Sequence, residues 1–310
     1  MNIVFSYDCE GNWGCVDWKE APLHSYSAAE LHNCYLILLD LHLKNNIPAT
    51  FAFVGLYGLP TKQRQDFVKD NLQDLHRSLP NLFAKGGLWE GQENLQLITA
   101  AAKNTTLIEV GSHSLTHAPI TTLNKAQQNR EFVLSKEVLD NLTGLNTDSY
   151  IYARNLFEDG PACLKTFNAF RNTPAVKTSQ RFTDILRTIS GMDILKNDCM
   201  SDFIFWKGGH RRHFSDRGWK KLWLARMKAA QKAKHNSRTI HVWSHPHNIL
   251  TDPEVVNRIE WLMNLFVENR AHLNFSTLSD MTTTPNFNNC LLYTSPSPRD
   301  RTRSRMPSSA

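Results

Sequence analysis

The sequence predicts a single α/β domain whose strands run parallel and are joined by helical crossovers. Three observations predict it. Short apolar runs such as IVFSY (3–7), ATFAFV (49–54) and TLIEVGS (106–112) alternate with longer segments at helical spacing, the signature of successive strand–helix units. No internal repeat and no Gly/Ser-rich linker divides the body of the chain. Hydrophobic residues make up 41% and charged residues 21% of the 310, enough apolar material for one sizeable core.

The elements follow in order. IVFSY is a buried strand. Residues 28–44 place Leu31, Tyr35, Leu38 and Leu39 at helical spacing and form a helix. Asn and Pro in NNIP break it, and ATFAFV is the second strand. Residues 61–103 are largely helical, interrupted at Pro80 and at Gly86–Gly87. TLIEVGS is the third strand and 123–143 the next helix. SYIYA (149–153) is the fourth strand, and DGPACLKTFNAF (159–170) is read as helix. After 171 the pattern weakens, until 216–235 turns helical and RTIHVWS (238–244) gives a late strand. Pro253 stands in the first turn of a last long helix, where its missing N–H costs little. HLNFST (272–277) closes the set.

In folds of this class active sites collect at the carboxyl ends of the strands, and chemistry-bearing residues recur at those ends. Asp8 and Glu10 sit two apart where the first strand finishes. Asp, Asn and Gly there also suit an ordinary turn; the alternative is a catalytic base beside a metal ligand. His113 and His117 begin just beyond the third strand, four residues apart, so a helical turn or tight turn brings both imidazoles to one side. With Glu10 as a third ligand, two His and one carboxylate leave positions open for water and substrate. His245 follows the late strand and can act as general acid near neutral pH. His247 can take that part instead, and His241 reads as a packed strand histidine. Arg154 ends the fourth strand; an arginine can hold a carboxylate bidentately and favour its ionised form.

The formal net charge of +6 does not imply nucleic-acid binding. Half of it comes from residues 291–310, with four Arg against one Asp. The second basic cluster, 220–238, spaces its charges along a helix, as a solvated face does. The stretch 290–310 is rich in Ser, Pro and Arg, a composition that cannot offset the entropy of ordering; it resembles translated sequencing-adapter read-through. The domain is therefore taken as 1–285, with 290–310 as a disordered basic tail. No run reaches the roughly 18 apolar residues of a membrane span. Met1 and Asn2 lead straight into IVFSY without a basic leader, so a cytoplasmic location is expected. The six cysteines are scattered without a C-x-x-C pair, as in a protein with reduced thiols.

Taken together, the segments resemble the NodB-homology polysaccharide deacetylases, carbohydrate esterase family four. SYDCEG is similar to the family's first motif, and EGNWG with VDW points to a D-x-E-x-x-W-G branch. HSLTH matches the metal motif H-[ST]-x-x-H, YIYARN resembles the arginine-bearing third motif, and VWSHPHN the last motif. The resemblance implies an incomplete, distorted (β/α) barrel of the NodB-homology type. It implies Asp8 as catalytic base, Glu10, His113 and His117 as ligands of a divalent metal, and His245 as catalytic acid. Arg154 would tether the base. Zn²⁺ is the expected ion, with Co²⁺, Ni²⁺ or Mn²⁺ as alternatives. The implied reaction removes N-acetyl, or sometimes O-acetyl, groups from an acetylated carbohydrate. A C–N hydrolase of a small non-sugar amide and an inactive glycan-binding homologue are the competing readings. The fourth motif has no clear counterpart, and Asp202 is the residue offered for it. Trp13 and Trp18 fit either a sugar-binding groove or the core.

Overall fold

The fold is assembled around β1 (Asn2–Cys9), whose residues are buried along nearly their whole length. A strand covered on both faces reads as a near-continuous apolar run, as in parallel sheets flanked by helices. The structure, a computed structural model, describes residues 1–15, 25–74, 84–156, 160–171, 199–203, 216–232 and 239–283. The tail 290–310 and Trp18 lie outside them.

After β1 the chain forms α1 (Ala28–Asn45), β2 (Ala49–Phe53), α2 (Gly55–Gly58), α3 (Thr61–Asn71), α4 (Gln92–Asn104) and β3 (Ile108–Ser112). Then come α5 (Lys125–Thr143), β4 (Ser149–Ile151), α6 (Gly160–Cys163), β5 (Ala169–Arg171) and β6 (Cys199–Phe203). The last elements are α7 (Asp216–Lys232), β7 (Thr239–Ser244), α8 (Asn248–Thr251), α9 (Glu254–Glu268) and β8 (Asn274–Ser276). The helices α1 and α5 begin where side chains take over orphaned backbone N–H groups. Ser27 and Glu30 form a capping box on α1, and Asn124 and Gln127 another on α5, each satisfying donors that have no partner inside the helix. Gly144 closes α5 in a left-handed conformation, which glycine adopts without steric cost.

The strands pair in the order β5-β4-β3-β2-β1-β7-β6, all parallel. This is the incomplete, curled barrel expected from the sequence. β1 is its hub: Ser6–Cys9 pair with β2, Asn2–Tyr7 with β7, and Asn2–Val4 with β8. Period-two alternation divides β1 between two environments. Ile3, Phe5, Tyr7 and Cys9 join the large core packed by the helices. Val4 joins a small cluster with Ala52, Ile151, Ala169, Leu278 and Met281. Leu278 enters that cluster from the segment after β8, where its N–H donates to Thr50 Oγ1 (2.9 Å) and Glu109 Oε2 (3.0 Å). Thr50 and Glu109 are the second residues of β2 and β3, so Leu278 enters near the start of these strands, while Ala52 lies in register with Asp8 and Ile151 ends β4.

Two expectations change. The described part of segment 159–170, from Gly160, is not one helix: α6 is one turn, and the chain then enters β5. The weakly patterned region after 171 contributes β6, whose Asp202 lies in register with Val242. Cys9, Cys15, Cys34 and Cys163 are buried free thiols. Among the described residues no helix is long and apolar enough to cross a membrane.

Candidate active site

Asp8 and Glu10, 2% and 5% exposed, stand where β1 ends. Gly11 turns the chain immediately afterwards at φ +50° into the 3₁₀ turn Gly11–Cys15. This left-handed conformation is one few residues but glycine adopt readily. A Cβ there would also stand 2.2 Å from the Leu88 carbonyl oxygen.

The two histidines of HSLTH come from a tight turn, not a helix. His113 directly follows β3, and both Ser114 (φ 70°) and His117 (φ 60°) are left-handed. Non-glycine residues hold that conformation only where their surroundings over-determine it. Here the His117 N–H donates to Ser114 Oγ (2.9 Å). Beneath the turn, Glu131 of α5 accepts from the N–H groups of Leu115 (2.9 Å) and Thr116 (3.1 Å) and from Thr116 Oγ1 (2.6 Å). Burial raises the Glu131 pKa against these bonds. Glu131→Ala would strand three buried donors at about 1–3 kcal/mol each. Partial relaxation should leave a loss of about 3 kcal/mol in urea unfolding, with Glu131→Gln losing clearly less.

Three donor atoms converge. His113 Nε2 is 3.0 Å and His117 Nε2 2.8 Å from Glu10 Oε2, and the ligand atoms of Glu10, His113 and His117 all lie within 4.8 Å of one another. His113 Nδ1 meets the Ile151 carbonyl oxygen at 3.0 Å. A neutral His113 therefore keeps its proton on Nδ1 and turns the Nε2 lone pair toward a carboxylate. Two acceptors face each other in this way only if a proton or a cation lies between them. The donor set, two imidazoles and one carboxylate with one imidazole fixed by a backbone carbonyl, fits a divalent metal. The electrostatics agree. Burial favours a neutral Glu10, but His117 and His245 outweigh it and hold the carboxyl well below its ordinary range. Burial opposes a charged His113, yet Asp8 and Glu10 raise its pKa. For His117 burial prevails and lowers it.

The arginine that holds Asp8 is Arg171, and this corrects the expectation for Arg154. Arg171 Nη1 donates to Asp8 Oδ1 (2.7 Å) and Nη2 to Oδ2 (2.6 Å). Burial would raise the Asp8 pKa; the Arg171 guanidinium, with His113, brings it below its usual value. Arg171 is itself fixed on several sides. It donates to Ser6 Oγ (3.0 Å) and Asn155 Oδ1 (2.9 and 3.2 Å) and lies 4.6 Å from the centre of the Trp243 ring. His241 Nε2 sits 2.8 Å from the same Ser6 hydroxyl, and burial followed by the Arg171 charge pushes its pKa down to about 3. His241 is thus a neutral partner behind the clamp. Arg154 lies past the end of β4, exposed, in a left-handed turn residue (φ 58°). YARN serves the clamp through Asn155. Sequence reasoning missed Arg171 and Asn155; the signal available was AFR, a short apolar run ending in a cation.

His245 brings Nε2 to 3.3 Å from Glu10 Oε1 and 3.9 Å from Asp8 Oδ2, with 18% of its side chain exposed. His247 stacks on it at 4.8 Å between ring centres and 25° between planes. Burial pushes the His247 pKa down to about 3. Asn248 Nδ2 lies 3.4 Å from His245 Nδ1, a neighbour the sequence did not single out. Trp13 is buried, edge-on to Trp89, with its Nε1 donating to the Trp89 carbonyl (3.3 Å); it belongs to the core.

Residues 32–161 match the family model for polysaccharide deacetylase, a span that holds His113 and His117 but not Asp8, Glu10, Arg171 or His245. No curated protein matches the chain significantly. Among solved structures, a candidate polysaccharide deacetylase from Mycobacterium smegmatis is 12% identical, with 91% of this chain and 88% of that one covered and a TM-score of 0.54. The Xyl-CE4 domain of a multidomain xylanase from the hindgut metagenome of Trinervitermes trinervoides is 14% identical over 90% and 88%, with a TM-score of 0.44. A family 4 carbohydrate esterase from Bacillus anthracis is 13% identical over 90% and 81%, at 0.40. The chain is thus similar to the polysaccharide deacetylase family model over residues 32–161 and shares the barrel fold of the Mycobacterium smegmatis structure.

Proposed function

We propose that the protein is a metal-dependent hydrolase that removes N-acetyl, or O-acetyl, groups from a glycan or glycan precursor. The observation that carries this reading is the juxtaposition of the Glu10–His113–His117 cluster with a buried carboxylate, Asp8, kept ionised by Arg171. Glu10, His113 and His117 would hold the ion, with zinc the expectation for nitrogen-rich ligands; cobalt, nickel or manganese suit the same set. A divalent cation there supplies Lewis acidity toward the acetyl carbonyl and lowers the pKa of water.

The side chains supply the proton traffic. Asp8 is buried and low in pKa, so it is ionised at neutral pH and takes the proton of the attacking water. Arg171 grips both Asp8 oxygens and fixes its orientation. His245 reaches the same space from β7 and is open enough to recover a proton from solvent, which suits the donor to the leaving nitrogen. His247 is buried and its pKa is lowered to about 3, so it is neutral and the weaker choice for the acid.

The test is acetate release from N-acetylglucosamine oligomers by chelator-stripped protein, with and without added Zn²⁺. Release should appear only with the metal and fall to background when chelator returns. Stoichiometric zinc without release would overturn the glycan reading in favour of a non-sugar amide. Failure to bind any divalent ion would overturn the enzyme reading altogether.

A further inference from the structure

Gly14 is a glycine for which the backbone has no need. Among the described residues the glycines with positive φ are Gly11, Gly86, Gly87 and Gly144; Gly14 is not among them, so its conformation is open to any residue. What it lacks is room. A Cβ on Gly14 would lie 1.8 Å from Glu10 Oε1, 2.2 Å from Glu10 Cδ and 2.8 Å from Glu10 Oε2. The Glu10 carboxyl group rests directly against the bare Cα of the residue four positions on.

Neither partner can easily retreat. Glu10 Oε2 lies within 3.0 Å of both His113 and His117, and Oε1 is 3.3 Å from His245. The backbone at 14 is held by its neighbours: the Trp13 N–H donates to the Glu10 carbonyl (2.9 Å), and the Trp13 side chain is buried against Trp89. A glutamate is one methylene longer than an aspartate, and the missing Cβ of Gly14 is where that length is accommodated.

We propose that Gly14 is the positioning residue that admits a glutamate, instead of a shorter acid, as the carboxylate partner of His113 and His117. This rests on the reading of Glu10, His113 and His117 as a metal centre. It makes the glutamate of D-x-E and the glycine of W-G one linked device.

The linkage is testable without catalysis, by measuring Zn²⁺ affinity of the full chain against a chromophoric chelator. The variants are Gly14→Ala, Glu10→Asp and the double variant. Gly14→Ala should bind zinc about 10–100-fold more weakly, the usual cost of disturbing the shell that orients a ligand. In the Glu10→Asp background the same glycine change should cost little, because the shorter acid no longer occupies the Cβ site. That comparison stands even if Gly14→Ala alone fails to fold. Wild-type affinity in Gly14→Ala, or an equal further loss on adding it to Glu10→Asp, would overturn the proposal while leaving the metal centre intact. No zinc binding by the wild type would overturn both.

Discussion

Replacing Arg171 with methionine is expected to cost the fold about 3–5 kcal/mol at neutral pH, the usual consequence of removing one partner from a buried ion pair. Side-chain exposure is 2% for Arg171 and 3% for Asp8, so water cannot take over the lost interaction. The variant should also move the acid limb of the kcat/KM profile to higher pH. The sign follows from Asp8. Its folded pKa lies below the ordinary value because Arg171 outweighs burial. The pair therefore stabilises the protein above the unfolded carboxyl's pKa, about 3.9. That stability is lost as pH falls through the lowered folded value. Without Arg171, burial acts with less opposition, Asp8 takes up its proton at a higher pH, and the base form fades earlier on acidification. Arg171→Lys should fall between, since a lysine keeps the charge but not the two-pronged grip. Arg154→Ala should leave the limb in place. Urea unfolding and a pH–rate profile on all three check this; a limb that moves with Arg154 and not with Arg171 would return the tether to Arg154.

Asp8→Asn should lower kcat/KM by about 10²–10⁴-fold, the range for losing a general base, while zinc stays bound. Asparagine keeps the volume and can still accept from Arg171, but it cannot take a proton from water. The residues read as ligands are Glu10, His113 and His117, and none is altered. Equilibrium dialysis of zinc beside acetate release separates the roles. If zinc and activity disappear together, Asp8 is a ligand and not the base. Leaving Arg171 as an uncompensated buried cation will also lower stability, so rates are compared at a temperature where both proteins are shown to be folded.

Much of this site was legible in the sequence because it is written at strand ends. β1 is apolar until its last residues, so Asp8 and Glu10 stand out where it finishes. HSLTH and VWSH follow two other strongly apolar runs in the same way. Arg171 was hidden by length and by spacing. β5 is three residues long, too short for a period of two to show. Cys163, Phe167 and Phe170 are spaced as on one helix face, and so read as helix. In the structure they meet Phe132, Tyr150 and Tyr152 in one aromatic cluster, brought there by a turn and a strand. Arg154, two residues past SYIY, then offered itself as the cation. Glu131 was invisible for a different reason. One of three acids in α5, with Glu137 and Asp140, it looks like surface charge, and only the turn packed above the helix shows why it faces inward.

The segment after β8 carries a consequence for how the chain can be shortened. Leu278 and Met281, 4% and 8% exposed, close a small apolar cluster with Val4, Ala52, Ile151 and Ala169. Any form that stops before Thr277 would leave this cluster open to water. It would also deprive Thr50 and Glu109 of the Leu278 and Ser279 N–H groups they now accept. Trimming into this segment should therefore lower the melting temperature, and because Ala52 lies in register with Asp8 and the Ile151 carbonyl meets His113 Nδ1, the opened cluster would border the site itself.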